Sequence, residues 1–361
     1  MKVPNRFDLR CFILLIFMTF SVSNADDLEN DFEKFRDYFK KDYFSVGLVL
    51  QVVSDFQIER SFPGNNGFNI ANARFMVYGE FDKKFGYLMR TNFINSPVIL
   101  DAKLHYRFSK KLIIDLGQFK APFSHEFLIP AESIDFVNRS RVVTVMAPGR
   151  QIGLQARGMP IQNLPLNYNI GIFNGNGIST NANDDNQFLF VGRIDCLWEN
   201  FLNQSNTSLY WGLNAAFSQD AFTHISEQLN PFIFEPLFFD GRRTLAGLDL
   251  RFTAGKFLFS GETIFGQFQG TLNQLITDTT FQDIQATGFH LTTGYMVGAR
   301  TQLLLRWDNF DTDRRSNSNW LIGGINFWPS SITELQLNYI INTEKTEFKH
   351  HQILLNTQVA F

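Results

Sequence analysis

The chain has 361 residues and a formal net charge of −3, with 41 Phe, 15% aromatic residues and 2 Cys. A slightly acidic chain offers no basic footprint for nucleic acid, and outside the N-terminus no apolar run approaches the roughly 18 residues of a helical membrane span. The abundance of phenylalanine sits beside a slightly negative mean hydropathy, a combination that a membrane barrel reconciles, because its apolar residues face lipid while every second residue faces water.

Residues 1–25 open with Lys2, Arg6 and Arg10, continue as an apolar run from Cys11 to Phe20, and end in Ser23-Asn24-Ala25. That order reads as a secretory signal peptide, and its apolar core of about ten residues is half of what an uncleaved helical anchor needs. Its removal takes away three basic residues and Asp8, leaving 29 basic against 34 acidic side chains, a formal charge of −5. Cys196 is then alone, so the mature chain has no intramolecular disulfide.

Residues 26–42 follow, with Leu28, Phe32, Phe35 and Phe39 at helical spacing among charges, which predicts one short amphipathic helix. From Tyr43 to Phe361 the period changes to 2. In 98–108, Leu100, Ala102, Leu104, Tyr106 and Phe108 alternate with Asp101, Lys103, His105 and Arg107, and one such strand alone would fit a half-buried soluble sheet equally well. The spacing predicts sixteen strands from 43–53 to 351–361, most near the ~9–11 residues that cross a bilayer when tilted. Among them are 208–217, 243–253, 256–267 and 285–295, which leaves 218–242 and 268–284 as loops. Short connections fall at one end and long ones at the other, as periplasmic turns and extracellular loops do; 95–97 is short for a loop and 199–207 long for a turn. In a bilayer an unpaired sheet edge costs several kcal/mol per polar group, so the strands must close. The fold class is all-β, a transmembrane antiparallel barrel occupying 43–361.

The residues GQFKAPF at 117–123, then NRSRVVTVMAPGRQIG at 138–153, then GIFNGNG at 171–177 resemble the porin O and P family, the phosphate- and polyphosphate-selective porins. VGRID at 191–195, GLDLRF at 247–252 and LQLNYI at 335–340 agree. The resemblance implies a sixteen-stranded pore in the outer membrane, commonly a homotrimer, passing small hydrophilic solutes or anions. It implies a third extracellular loop folded inward, here 122–149, and that loop's Phe123, Phe127, Ile129, Ile134, Phe136, Val142, Val143 and Val145 are indeed too apolar to stand in water. Terminal Phe361 resembles the signal read by the barrel-assembly machinery.

Arginine and lysine ringing a constriction select anions. Inward parity assigns Arg74, Arg90, Lys103, Arg107, Arg157, Arg193, Arg251, Arg300 and Arg306 to the pore lining, with Lys120, Arg139, Arg141 and Arg150 as the constriction set. Glu80, Asp101, Asp115, Asp195, Asp249, Glu262 and Asp308 share the inward parity, so the alternative is ion pairing across neighbouring strands. Nine lumen cations against seven anions do not form a dense basic ladder, which leaves a general or weakly anion-preferring pore as open as a phosphate channel. The six histidines form no metal or catalytic pattern, and no cofactor is expected. Ser124-His125 is the nearest approach to a lipase-like pair, but it lies in the inward loop, so an enzyme is not expected. A non-conducting structural or adhesive barrel remains the other reading.

Overall fold

A computed structural model describes residues 43–361 other than 60–65, 95–97, 161–163, 179–181, 184, 226–236, 275–278, 314–317 and 345. The expected signal peptide and the helix at 26–42 lie outside the described residues. Sixteen strands form one closed antiparallel barrel in which each pairs with its neighbours in sequence. In chain order they are β1 Ser45–Gln57, β2 Gly67–Phe81, β3 Phe85–Asn92, β4 Val98–Ser109, β5 Leu112–Lys120, β6 Arg150–Gly158, β7 Leu166–Phe173, β8 Leu189–Glu199, β9 Thr207–Ile225, β10 Leu237–Ala254, β11 Phe257–Gln274, β12 Thr279–Met296, β13 Thr301–Thr312, β14 Ser318–Phe327, β15 Thr333–Asn342 and β16 Gln352–Ala360. β1 closes the ring on β16, from Gln57↔Gln352 to Val49↔Ala360. Leu48 and Phe361 exchange two backbone bonds of 2.9 and 3.1 Å at the seam, so no edge is left open there.

The alternation expected of one face oily and one face polar is the barrel's organising rule. Leu303, Leu305 and Trp307 are exposed on the outer face of β13, whereas Leu304, Arg306 and Asp308 are buried inside. A bulge breaks the rule once in β4: the pairing with β3 shifts between Arg90 and Thr91, and Leu100, expected on the lipid face, is buried instead. The Gln118 amide donates to the carbonyls of Ile99 (2.5 Å) and Leu100 (3.1 Å), which the bulge leaves without ladder partners.

The larger departure is in β9 to β12, which run to 18 or 19 residues. That is nearly twice a membrane crossing, so much of 218–242 and 268–284 is strand rather than loop. Alternation across these segments is obscured by a shift in the β9–β10 register between Phe239 and Gly241 and by a glycine pair, Gly241↔Gly270. Both glycines take positive φ, 147° and 156°, and a Cβ on Gly270 would lie 2.0 Å from the Asp240 carbonyl oxygen.

Two short helices lie in the connection between β5 and β6: α1, His125–Leu128, and α2, Arg141–Met146. This connection does not stand outside the barrel. It is a strap across the lumen.

Candidate functional site: the strap and the basic wall

The strap leaves the wall at the last rung of β5 and β6, the pair Lys120↔Arg150, and the Ala121 N–H bonds the Gly149 carbonyl at its base (3.1 Å). Ser124 caps α1, its hydroxyl accepting from the Phe127 N–H at 3.0 Å. The Lys120 ammonium donates to the carbonyls of Phe127 (2.5 Å), Leu128 (3.3 Å) and Ile129 (2.8 Å), where the ending helix exposes acceptors. Arg139 grips the same turn from the other side, donating to the carbonyls of Glu126 (3.0 Å) and Ile129 (2.6 Å).

Between its helices the strap has one 3-10 turn, Ala131–Ser133, and no sheet partner, so most of its backbone polar groups must find others. The inner wall supplies a row of amides. Gln51 donates to the Ala131 carbonyl, Gln358 to Glu132, Gln336 to Ile134 and Asn326 to Asp135, while Asn338 accepts from the Val137 N–H. The strap thus passes along β1, β16, β15 and β14 in turn. Phe136 anchors this stretch among Leu258, Leu304, Ile322, Ile340 and Leu354.

At β13 the strap is fastened by charge. The Glu126 carboxylate accepts from the Arg306 guanidinium (2.6 Å), the Ser140 N–H (2.8 Å) and the Ser140 hydroxyl (2.6 Å), and the Glu126 N–H reaches Glu262 at 3.2 Å. Burial pushes this carboxyl up, but Arg306, His290 and Ser140 outweigh it and hold it at about 2. Beyond it, α2 buries Val142, Val143, Val145 and Met146 against Phe123, Leu245, Ile264, Phe268 and Phe310 of the barrel interior. Three of its six residues are β-branched valines, poor intrinsic helix formers, so packing rather than propensity makes this helix.

The strap therefore fills the lumen beside β8 to β16, and the charges divide accordingly. On the filled side each basic group is matched: Arg193 to Asp249 (2.7 Å), Arg243 to Asp220 (3.1 Å), Arg251 to Asp135 (2.7 Å) and Arg306 to Glu126. Arg193 and Arg306 keep only 0% and 2% of their side-chain surface exposed. On the wall of β2 to β6 the corresponding figures are 22% for Lys103, 32% for Arg157 and 42% for Arg107, against 11% for Arg74, 12% for Arg150 and 15% for Arg90, so this wall is open to water at Lys103, Arg157 and Arg107 and closes toward the strap.

Here the cations outnumber their partners. Asp101 serves both Arg150 (3.0 Å) and Arg90 (3.4 Å); Asp115 serves both Arg157 and Lys103 (3.7 Å); Glu80 serves Arg107 (3.1 Å); Glu132 lies 3.9 Å from Arg74. Arg139 is held by carbonyls alone among the bonds above, and the Nε atoms of Arg74 and Arg90 are buried without a protein acceptor. Arg74, Arg90, Arg139 and Arg150 lie close enough to repel one another. Arg74, Arg90, Lys103, Arg107, Arg139, Arg150 and Arg157 thus face Glu80, Asp101, Asp115 and Glu132, seven basic groups against four acidic ones.

Several expectations change in detail. Lys120 and Arg150 do meet Arg139, but the three donors of Lys120 are all taken by the strap, so it has no hydrogen bond left to offer a solute. Arg141 is separated from them: its N–H bonds Asp308 (2.9 Å) and its guanidinium lies over the rings of Phe310 and Trp320, at 5.9 and 5.4 Å. Arg300 is in the turn before β13, not on the strand, and donates to the Pro329 carbonyl (2.8 Å). Arg193, Arg251 and Arg306 follow the ion-pair alternative. His125 rests on Tyr210 with ring centroids 4.3 Å apart, and burial pushes it down to about 4, leaving it neutral and remote from nucleophile activation. Adjacent Ser124 is spent on its cap. The amide row and the strap acids Glu126, Glu132 and Asp135 are elements that the sequence reading passed over; nothing local showed that an amide such as Gln358 would hold a backbone.

Residues 46–190 match the family described as phosphate-selective porin O and P. No curated protein sequence matches the chain. Among solved structures the fold is similar to an anion-selective porin from Comamonas acidovorans, at 12% identity and TM-score 0.60 over 88% of this chain and 99% of that one. It is similar also to the outer membrane channel DcaP of Acinetobacter baumannii, at 10% identity and TM-score 0.56 over 89% and 99%. A trimer form of OmpT from Vibrio cholerae gives 8% identity and TM-score 0.57 over 88% and 99%.

Proposed function

From a chain that over residues 46–190 belongs to the phosphate-selective porin O and P family, we propose an outer-membrane porin through which small hydrophilic anions diffuse passively. The observation that carries this reading is the uncompensated charge on the water-exposed wall. Solutes pass between the strap and β2 to β6; Arg107, Arg157 and Lys103 line the periplasmic approach, and Arg74, Arg90, Arg139 and Arg150 the narrowing beside the strap. A net excess of three positive charges around a confined aqueous path raises the local concentration of anions and lowers that of cations. Guanidinium groups with unspent donors suit oxyanions, phosphate among them, because they offer paired N–H groups to paired oxygens. A homotrimer accords with the trimer form of the similar OmpT fold.

The test is reconstitution into planar bilayers under a salt gradient. The expected result is stable conductance with a reversal potential of anion-selective sign, in chloride and in phosphate. Cation-selective sign would overturn the assignment of the basic wall. One observation favours the other reading, a barrel that does not conduct: the strap and its apolar packing occupy much of the interior. Absence of conductance from correctly folded, heat-modifiable protein would decide for it.

A further inference from the structure

The strap carries three acids into the lumen, and one of them is held unlike the others. Glu126 accepts hydrogen bonds from Arg306 and twice from Ser140, and Asp135 accepts from both arms of Arg251, at 2.7 and 3.1 Å. The Glu132 carboxylate accepts none among the described residues: its Oε2 is buried without a donor, and Arg74 lies 3.9 Å away. A buried carboxylate oxygen left without a donor is costly, so what keeps Glu132 here is the field of the cations around it. Its side chain keeps 15% of its surface exposed, so the aqueous path reaches it.

The main chain around it is fixed. Glu132 is the middle residue of the turn Ala131–Ser133, which the Ser133 N–H closes on the Pro130 carbonyl at 3.0 Å. Gln51, Gln358 and Gln336 donate to the carbonyls of Ala131, Glu132 and Ile134. The backbone is thus pinned to the wall on both sides of a side chain that no donor holds, which makes a short tether with a charge at its end.

The donors facing that charge are unspent as well. The Nε atoms of Arg74 and Arg90 are buried without an acceptor. Arg139 gives its Nε and one terminal nitrogen to the carbonyls of Glu126 and Ile129, and its other terminal nitrogen donates to no described residue. Glu132 lies within electrostatic reach of Arg74 and Arg139 both. Guanidinium groups and carboxylate therefore attract one another across this gap without closing the hydrogen bonds that such pairs form when they are permanent.

We infer that Glu132 is a displaceable counterion built into the narrowing: its carboxylate stands where a passing oxyanion would stand beside Arg74 and Arg139, and yields that place when one arrives. Conduction needs sites that attract a solute yet release it. An open cluster of arginines would hold an oxyanion and slow its exit, whereas a tethered competitor returns to the arginines as the solute leaves. The inference deepens the reading of the basic wall as the solute path and rests on it.

The experiment is calorimetric titration of full-length protein in detergent with inorganic phosphate, in mildly acidic buffer where phosphate is mainly a monoanion. It compares wild type with Glu132→Gln, which keeps the side chain's size and removes its charge. Loss of a unit charge about 7 Å from a bound monoanion raises its affinity about three-fold through the field alone. Vacating the place also lets the solute form charge-assisted hydrogen bonds with the freed arginines, so Glu132→Gln is expected to bind phosphate about ten-fold or more tightly than wild type. A gain no larger than the field accounts for would make Glu132 a fixed charge, and weaker binding would make it part of the site; either overturns the inference. Loss of the heat-modifiable shift or of protease resistance within 121–149 in the variant would make Glu132 an anchor of the strap, which overturns it too. Titration reads binding whether or not the barrel conducts, so a cation-selective or silent wild type in bilayers would remove the pore reading and leave this comparison to be decided by itself.

Discussion

Arg74 shows how one side chain can carry function without carrying the fold. Its nearest carboxylate, on Glu132, is 3.9 Å away and belongs to the strap, whereas Arg193 on the filled side is clamped by two bonds from Asp249 at 2.7 and 2.8 Å. Removing a unit charge about 7 Å from an ion in water changes its energy by roughly 0.6 kcal/mol, or about 2.7-fold in local concentration. Because the anion falls and the cation rises by that factor, Arg74→Gln is expected to lower the anion-to-cation permeability ratio by up to about seven-fold while leaving the heat-modifiable shift intact, as read by reversal potential. Glu126 is the opposite case, since breaking a buried pair costs about 3–5 kcal/mol. Glu126→Gln is expected to free the strap at neutral pH, seen as cleavage within 121–149 by added protease. The wild-type pH dependence has a definite sign: the carboxyl is depressed from 4.5 to about 2 on folding, so its stabilisation is complete above about 4.5 and disappears as pH falls through about 2. Protease resistance of the strap should accordingly survive at pH 5 and decline toward pH 2.

At the level of elements, sixteen strands were legible because lipid outside and water inside impose the same period on each membrane crossing. The upper parts of β9 to β12 were not: beside the register shift and the glycine pair, much of the inner face there is apolar, with Phe239, Phe268, Leu272 and Ile284 all buried. The period persists, but the contrast between faces on which it is read does not. The strap's apolar residues did announce that it packs against something; which wall it chooses depends on Gln51, Gln336, Asn338 and Gln358, scattered over three strands and indistinguishable locally from ordinary lumen polars. The same distance hides the split among the basic residues, since parity places Arg193 and Arg107 alike and only the strap's course separates them. The glycine crossing permits a direct test of the tall wall. Gly270→Val meets both a positive φ and backbone at 2.0 Å, so it is expected to disrupt the tops of β10 and β11 and expose α2, measured as protease cleavage near 141–146 with the lower barrel still heat-modifiable.

Across the whole molecule, the strap converts a symmetric ring into a two-sided pore. The ring alone would present inward-facing charges of both signs around its circumference, and their fields would largely cancel in a wide aqueous bore. The strap removes Arg193, Arg306, Asp249, Glu262 and Asp308 from water, leaving the β2 to β6 wall to set the field that a solute meets. Selectivity and pore width are therefore coupled through one element. Replacing 124–146 by a short flexible linker should increase conductance several-fold, and at the same time move the reversal potential toward zero, because Arg139 is lost with the strap and a wider bore lets water and salt screen the basic wall. Planar-bilayer recording of the deletion in a chloride gradient checks both effects at once. Wider conductance with undiminished anion preference would mean that the basic wall acts alone and that the strap serves only to narrow the path.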